Sequence, residues 1–217
     1  MAERVFNLQQ ALDLTLQDWV QFLNKVQEKP FRAKQVVQWI YQKKAPSFSA
    51  MTSLPATLRQ KLEAHFNLLA LKPHLILNSQ KDLGTQKVLF KTHDNLEIES
   101  VLLPNGKNQF TLCLSSQAGC FYGCDFCATG KLGYTRNLSD AEIISQVLFF
   151  FQDKKISNLV FMGMGEPLAN PFLFSALNKL TQEPYLNFAS RSITVSTIGK
   201  IASVIQMVET DLEQEAK

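Results

Sequence analysis

Three thiols crowded into one short stretch constrain this chain more than anything else in it. Cys120, Cys124 and Cys127 stand in Gly119-Cys120-Phe121-Tyr122-Gly123-Cys124-Asp125-Phe126-Cys127, a C-x₃-C-x₂-C spacing with an aromatic residue before the last cysteine. Thiolates are the preferred ligands of iron–sulfur clusters. Intervals this short let a single loop wrap one cubane, with Gly119 and Gly123 expected to supply the tight turns. Three protein ligands leave the fourth iron open, and an open iron can take a substrate. A structural zinc site would want a fourth ligand. Only Cys113 remains for that, because His65, His74 and His93 all lie upstream. Disulfides and buried structural thiols are the other readings of clustered cysteines.

The bulk properties admit a soluble enzyme. Of 217 residues, 46% are hydrophobic and 19% charged, the balance of an ordinary globular chain. No apolar run is long enough to span a bilayer, and the N-terminus lacks the charged-then-apolar pattern of a secretory signal. The expectation is therefore a cytoplasmic, thiol-reduced protein with no membrane partner. Charge is uneven. Residues 1–66 carry nine Lys/Arg against five Asp/Glu, or +4, whereas residues 139–217 carry six against nine, or −3. A basic front end suits a polyanion such as RNA, although the same excess also describes an ordinary solvated surface.

The organisation reads as three regions. Residues 1–66 have helical periodicity. A first helix is capped by Thr15 or Asp13 and buries Leu16, Trp19, Val20, Leu23 and Val26 before Pro30 breaks it. A second runs from about Arg32 to Lys43 and stops at Pro46; a third carries Pro55 in its first turn and ends near His65. Both tryptophans read as core residues. Residues 67–109 form a small β region: from about Leu68 to Leu114, short strands (Leu75 to Leu77, Lys87 to Phe90, Ile98 to Leu103, Phe110 to Leu114) separated by Asp82-Leu83-Gly84, His93-Asp94-Asn95 and Pro104-Asn105-Gly106 predict a small antiparallel sheet leading into the next domain. From residue 110 to 217 the grammar is strand, loop, helix, repeated. Phe110 to Ser115 precedes the cysteine loop. Ser139-Asp140-Ala141-Glu142 is a capping box. Ser157 to Met162 runs into Gly163-Met164-Gly165-Glu166-Pro167, and Asn170-Pro171 opens a helix. Ser192 to Thr197 is the next strand, and Gly199 precedes a helix to about Glu209. Such alternation implies an α/β fold with parallel pairing. The special loops fall at carboxyl ends of strands, where sheets of this kind bind ligands.

Taken together, these stretches resemble the radical S-adenosylmethionine (SAM) dual-specificity RNA adenine-C2 methyltransferases, which act on 23S ribosomal RNA and on tRNA. The residues carrying the resemblance are the cysteine loop, Thr111 to Gln117 before it, Arg136-Asn137-Leu138 after it, Met162 to Pro167, and Thr194 to Thr197. Phe31 to Gln35 and Trp39-Ile40-Tyr41 resemble the family's N-terminal accessory domain. The resemblance implies a partial (β/α) radical-SAM barrel preceded by a small helical RNA-contacting domain and a short antiparallel sheet. It implies a [4Fe-4S] cluster on Cys120, Cys124 and Cys127 whose free iron chelates SAM, and an electron donor such as flavodoxin. Gly165 and Glu166 would meet the amine end of SAM, and Ser196 its ribose. In the family a methylated cysteine supplies the carbon, and a second cysteine then releases the product by forming a disulfide. Cys113 matches that resolving position, and Glu99 the proton acceptor at the adenine carbon. Arg32, Lys34, Lys43 and Lys44 are the candidates for gripping RNA phosphates. A sister group methylates C8 of the same ribosomal adenine and shares these motifs.

The chain also departs from the family. The methyl-carrying cysteine belongs to a C-terminal part with no counterpart here, and all four cysteines are otherwise assigned. The expectation is a barrel about half complete, from a truncated product or completed by a second chain, with a polar tail from Glu209 to Lys217. Such a chain is expected not to methylate RNA alone. A cluster- or RNA-binding remnant without turnover is the alternative.

Overall fold

The computed structural model describes residues 8–199, apart from 83, 107, 152 and 153. The helix expected after Gly199 and the polar tail lie outside the described residues.

Strand β1 (Gln9–Gln10) pairs in parallel with β2 (Phe66–Asn67), drawing together the two ends of the helical region. Between them, α1 (Leu16–Lys25) begins at a capping box: the Thr15 hydroxyl accepts the Asp18 N–H at 3.2 Å, and the Asp18 carboxylate accepts the Thr15 N–H at 2.8 Å. Asp13, the other candidate cap, serves a different helix. It accepts the Ala141 N–H at 2.8 Å. Helix α1 ends ahead of Pro30, because Gln27 adopts a left-handed φ of 59°. Helix α2 (Arg32–Val37) widens into π-type turns over Gln38–Gln42 and stops where Lys44 turns left-handed, before Pro46 is reached. Helix α3 (Ala56–His65) has Pro55 as its cap rather than inside its first turn. Trp19, Leu23, Val36, Val37, Leu58 and Leu62 are buried together, with the Trp19 and Phe66 rings 4.9 Å apart. Trp39 is only half-buried; its indole N–H donates to the Ser53 hydroxyl at 2.7 Å.

The strands that follow form one sheet. In chain order they are β3 (Lys72–Asn78), β4 (Gln86–Lys91), β5 (Glu97–Pro104) and β6 (Phe110–Cys113). After β6 come the hairpin strands β7 (Gln117–Gly119) and β8 (Tyr134–Asn137), helix α4 (Asp140–Phe150), β9 (Ile156–Phe161), α5 (Leu173–Thr181) and β10 (Ile193–Val195). The sheet order is β10-β9-β6-β5-β4-β3, with β6, β9 and β10 parallel and β3 to β6 successively antiparallel. The antiparallel strands thus lead directly into the parallel ones within a single sheet. Leu102 and Leu112 are register partners and both buried, so the ladder runs unbroken from β5 into β6. The sheet does not close on itself.

Its two faces differ. Val88, Phe90, Ile98, Leu102, Leu112, Leu159 and Phe161 are buried on the helix-covered face. Alternation places Glu99, Val101, Cys113, Val160 and Thr194 on the other face, all half-buried or exposed. Helix α4 is buried from Asp140 to Leu148, and the Ala70 N–H donates to its Ser145 hydroxyl at 2.9 Å. The helical region is locked on by Lys179, 3% exposed, whose ammonium donates to the Leu12 and Asp13 carbonyls at 2.7 and 3.0 Å and to the Asp140 carboxylate at 3.1 Å. A buried cation is tolerated only with such a set of partners.

Candidate active site

The cysteine loop is the tip of the β7–β8 hairpin. Gly119, φ 77°, closes its stem: a Cβ there would stand 1.8 Å from the Gly133 carbonyl oxygen, the oxygen that accepts the Cys120 N–H at 2.9 Å. Gly123, expected to make the second tight turn, faces open space, and the close backbone approach in the loop falls at Gly130. A Cβ on Gly130 would lie 3.1–3.2 Å from backbone atoms of Cys124 and Tyr122. Within the loop the Cys127 N–H donates to the Cys124 carbonyl at 3.0 Å. No disulfide forms: Cys113, Cys120, Cys124 and Cys127 are all free and half-buried. Backbone N–H groups of Gly130 and Thr129 hold the Cys127 thiol below its ordinary pKa, the setting a metal-binding thiolate needs. Three free, accessible thiols on one loop fit a [4Fe-4S] cluster with an open iron. Phe126 beside them is 94% exposed.

The loop is tied to the rim of the parallel strands by buried amides. Gln117 accepts the Glu166 N–H at 2.9 Å and donates to Asn137 at 2.8 Å, which couples the hairpin stem to the glycine-rich loop. Asn170 donates to the Ser116 and Leu138 carbonyls at 2.7 and 2.9 Å. Gln146, fully buried on α4, accepts from the Ser115 N–H and donates back to the Ser115 carbonyl, both at 2.9 Å, while accepting the Ser100 hydroxyl at 2.7 Å. Ser115 in turn donates to the Glu99 carbonyl at 2.6 Å and accepts the Met164 N–H at 2.8 Å. The sequence reading missed Gln146. The available signal was a polar residue inside the apolar run Ile143, Ile144, Val147, Leu148.

The glycines of the Gly163–Pro167 loop allow this close approach. A Cβ on Gly163 would lie 2.7 Å from the Leu114 carbonyl, and one on Gly165, φ 99°, 2.5 Å from Gln117 Cβ. Glu166 is 5% exposed; its carboxylate accepts from the Leu168 and Ile198 N–H groups at 3.1 and 3.0 Å and from the Thr197 hydroxyl. Thr197 is a partner the sequence reading did not assign. Ser196 lies exposed just past β10, its N–H donating to the Phe161 carbonyl at 3.3 Å. Cys113 and Glu99 share the uncovered face, since Cys113 pairs with Val101, two residues along β5 from Glu99. Burial pushes the Cys113 thiol up, partly offset by the Met162 N–H. Lys87 holds the Glu99 carboxylate at 2.6 Å. Among the basic candidates, Arg32 is held by Glu28 at 3.7 Å, and the Lys44 ammonium lies 4.0 Å over the Phe151 ring. Lys34 and Lys43 are exposed, the latter 4.1 Å over Trp39.

A three-thiol hairpin beside a glycine-rich loop, both at the carboxyl rim of the parallel strands of an open mixed sheet, is the arrangement of a radical-SAM protein. Comparison with known sequences agrees. The family model for the radical SAM superfamily matches residues 114–211, and that for the ribosomal RNA large subunit methyltransferase N-terminal domain matches residues 7–68. Over most of its length the chain is similar to the dual-specificity RNA methyltransferases named RlmN. It is 44% identical over 189 residues to the probable dual-specificity RNA methyltransferase RlmN of Rhodopirellula baltica, a match covering 85% of this chain and 49% of that protein. With the dual-specificity RNA methyltransferase RlmN of Geobacter sulfurreducens it is 42% identical, covering 87% and 52%. The crystal structure of a radical SAM methyltransferase from Sphaerobacter thermophilus superposes with a TM-score of 0.85 at 36% identity, over 92% of this chain and 60% of that one. The chain thus spans about half the length of the curated relatives it matches. Among the described residues no helix is long and apolar enough to cross a membrane.

Proposed function

We propose that Cys120, Cys124 and Cys127 hold a [4Fe-4S] cluster, that SAM binds between it and the Gly163–Pro167 rim, and that the substrates are adenines of 23S rRNA and tRNA. The observation carrying this reading is the pinning of the thiol hairpin to that rim through Gln117 and Glu166. The cluster, when bound, supplies the single electron that splits the sulfonium. Everything else is positioning and proton handling by the chain. Gly165 and Glu166 meet the amine end of SAM and Ser196 the ribose. The Glu166 carboxylate keeps little acceptor capacity beyond its three donors, so its contribution is a fixed negative charge. Glu99 accepts the proton from the adenine carbon, with Lys87 beside it. Partial burial raises the Cys113 thiol's pKa further, so as the resolving residue it requires a base nearby to become the attacking thiolate. Residues 1–66 form the accessory unit that meets the RNA, and the electron comes from a flavodoxin-like donor.

The cysteine inventory favours a second reading for this chain by itself. It has four cysteines, three for the cluster and one for resolution, which leaves no thiol to carry a methyl group. We therefore expect anaerobically reconstituted chain to bind about four iron per protein and, with a strong reductant, to cleave SAM to 5′-deoxyadenosine. It should form no methyladenosine in rRNA or tRNA fragments. Absence of iron or of SAM cleavage overturns the site. Methyladenosine made by the purified chain overturns the cysteine argument.

A further inference from the structure

Of the four basic residues picked out on the helical region, Arg32 and Lys44 are engaged in contacts within the protein while Lys34 and Lys43 are exposed, and further cations lie elsewhere. A cleft of about 560 Å³ opens where the helical region meets the start of the sheet. Lys72 and Lys91 line it as direct register partners on β3 and β4. His74, the extra residue at the β3 bulge, and His93, in the β4–β5 turn, line it too. Among the described residues that line it there is no carboxylate. Opposing charge lies beside it: Glu97 is 3.8 Å from the His74 ring nitrogen and 3.9 Å from the Lys91 ammonium, and His93 faces Asp94 at 3.9 Å and Glu142 at 4.0 Å. Leu69 and Pro73 give the wall an apolar part. The buried amide oxygen of Gln10 has no hydrogen-bond partner there, an acceptor waiting for a donor.

Location matters as much as chemistry. Lys91 pairs with Glu97 across β4 and β5, and Glu97 lies two residues from Glu99 on the same side of the strand. Two residues of strand span about 7 Å. The β4–β5 turn and the cysteine loop both lie at the end of the sheet toward which β6 runs, and Arg136 of β8 bonds Asp94 in that turn at 2.7 and 2.8 Å. The cleft is therefore the next site along the surface from the proposed proton acceptor.

We propose that this cleft binds a nucleotide of single-stranded RNA flanking the target adenine, with Lys72 and Lys91 on its phosphates, the apolar wall against sugar and base, and Gln10 accepting from a base amine. Splaying one base out of a strand leaves its neighbour without a stacking partner, and an adjacent pocket compensates for that loss. The proposal rests on the reading that RNA is the substrate.

The test is binding of a fluorescent single-stranded oligoribonucleotide by the full chain across a salt series. Lys72→Glu/Lys91→Glu should weaken binding at least tenfold, and removing two phosphate contacts should lower the slope of log affinity against log salt by about 1.4. Lys72→Gln/Lys91→Gln should lower the slope equally with a smaller loss, and Gln10→Leu should weaken binding without changing the slope. Lys154→Glu/Lys155→Glu makes the same double charge change at exposed residues just ahead of β9, at the opposite end of the sheet, and is the control. Unchanged affinity in the cleft variants, a loss no greater than for Lys154→Glu/Lys155→Glu, or no RNA binding by the unaltered chain overturns the proposal. Thermal melts of each variant separate loss of fold from loss of contact. Iron content and SAM cleavage are read on the same preparations. If they fail while RNA binding behaves as stated, the enzymatic reading fails and the cleft stands; if they succeed and the cleft variants bind normally, only the cleft proposal fails.

Discussion

Gln146 shows how much a single side chain can organise. Its amide imitates a strand neighbour for Ser115, taking the N–H and returning one to the carbonyl, and also satisfies Ser100. Those groups lie where no water reaches, so removing the amide leaves them unpaired. Gln146→Leu should lower stability to chemical denaturation by about 3 kcal/mol and should reduce cluster loading, because Ser115 also fixes the Met164 N–H. Gln146→Glu keeps an acceptor but loses the donor and should not rescue either property. Unchanged denaturation midpoints would show that Ser115 finds other partners. Lys87 on Glu99 is a contrasting case. That pair is two-fifths exposed and contributes little to stability, so its importance is where it places the carboxylate.

At the scale of elements, the β7–β8 hairpin is the part with least room for change. The Gly119 Cβ position coincides with the Gly133 carbonyl, and φ at Gly119 is in the left-handed region. Gly119→Ala should separate the hairpin stem, free the Cys120 N–H, and abolish iron incorporation while leaving most helical circular dichroism intact. Retention of a full cluster in that variant would mean the loop tip holds its geometry without the stem. Helix α4 behaves differently. Its capping box, Ser139 with Glu142, was legible in the residues themselves, and the helix begins there. The near-complete burial of α4 was not legible, since the helical region covers it from outside and that packing joins residues far apart in sequence. Helix α1 is similar: Thr15 and Asp13 were both credible caps locally, and only the fold sends Asp13 to Ala141.

At the scale of the molecule, three parts of the chain meet at Arg136. Its guanidinium donates to both oxygens of Asp94 and both of Glu142, joining β8, the β4–β5 turn and α4. His93, Asp94 and Glu142 would resemble a metal site by residue type, but the guanidinium already occupies both carboxylates. Hydrogen bonds from Arg136 hold the Asp94 carboxyl well below the usual carboxylate range. A group depressed on folding contributes stability that is complete above its unfolded pKa, about 4, and that is lost as pH falls through the folded value. Thermal melts should therefore show an acid limb below about pH 4 that Asp94→Asn flattens. A limb identical in that variant would assign the acid sensitivity to other carboxylates.

The residues alone determined what is local or periodic: the thiol loop, the turns, the capping boxes, the alternation of strands with helices, and through these the family. Each of those signals is set by neighbours within a few positions, where backbone geometry and ligand spacing act directly. The tertiary structure decided what depends on pairing across long separations. It merged the antiparallel strands with the parallel ones in a single sheet, because Leu102 and Leu112 share a buried face. It also set Arg32 beside Glu28 and Lys44 over the Phe151 ring, and it placed Gln117, Gln146 and Asn170 as struts between the cysteine hairpin and the glycine-rich rim. A buried polar group must find its partner wherever the folded chain brings one, and no spacing along the sequence records that choice.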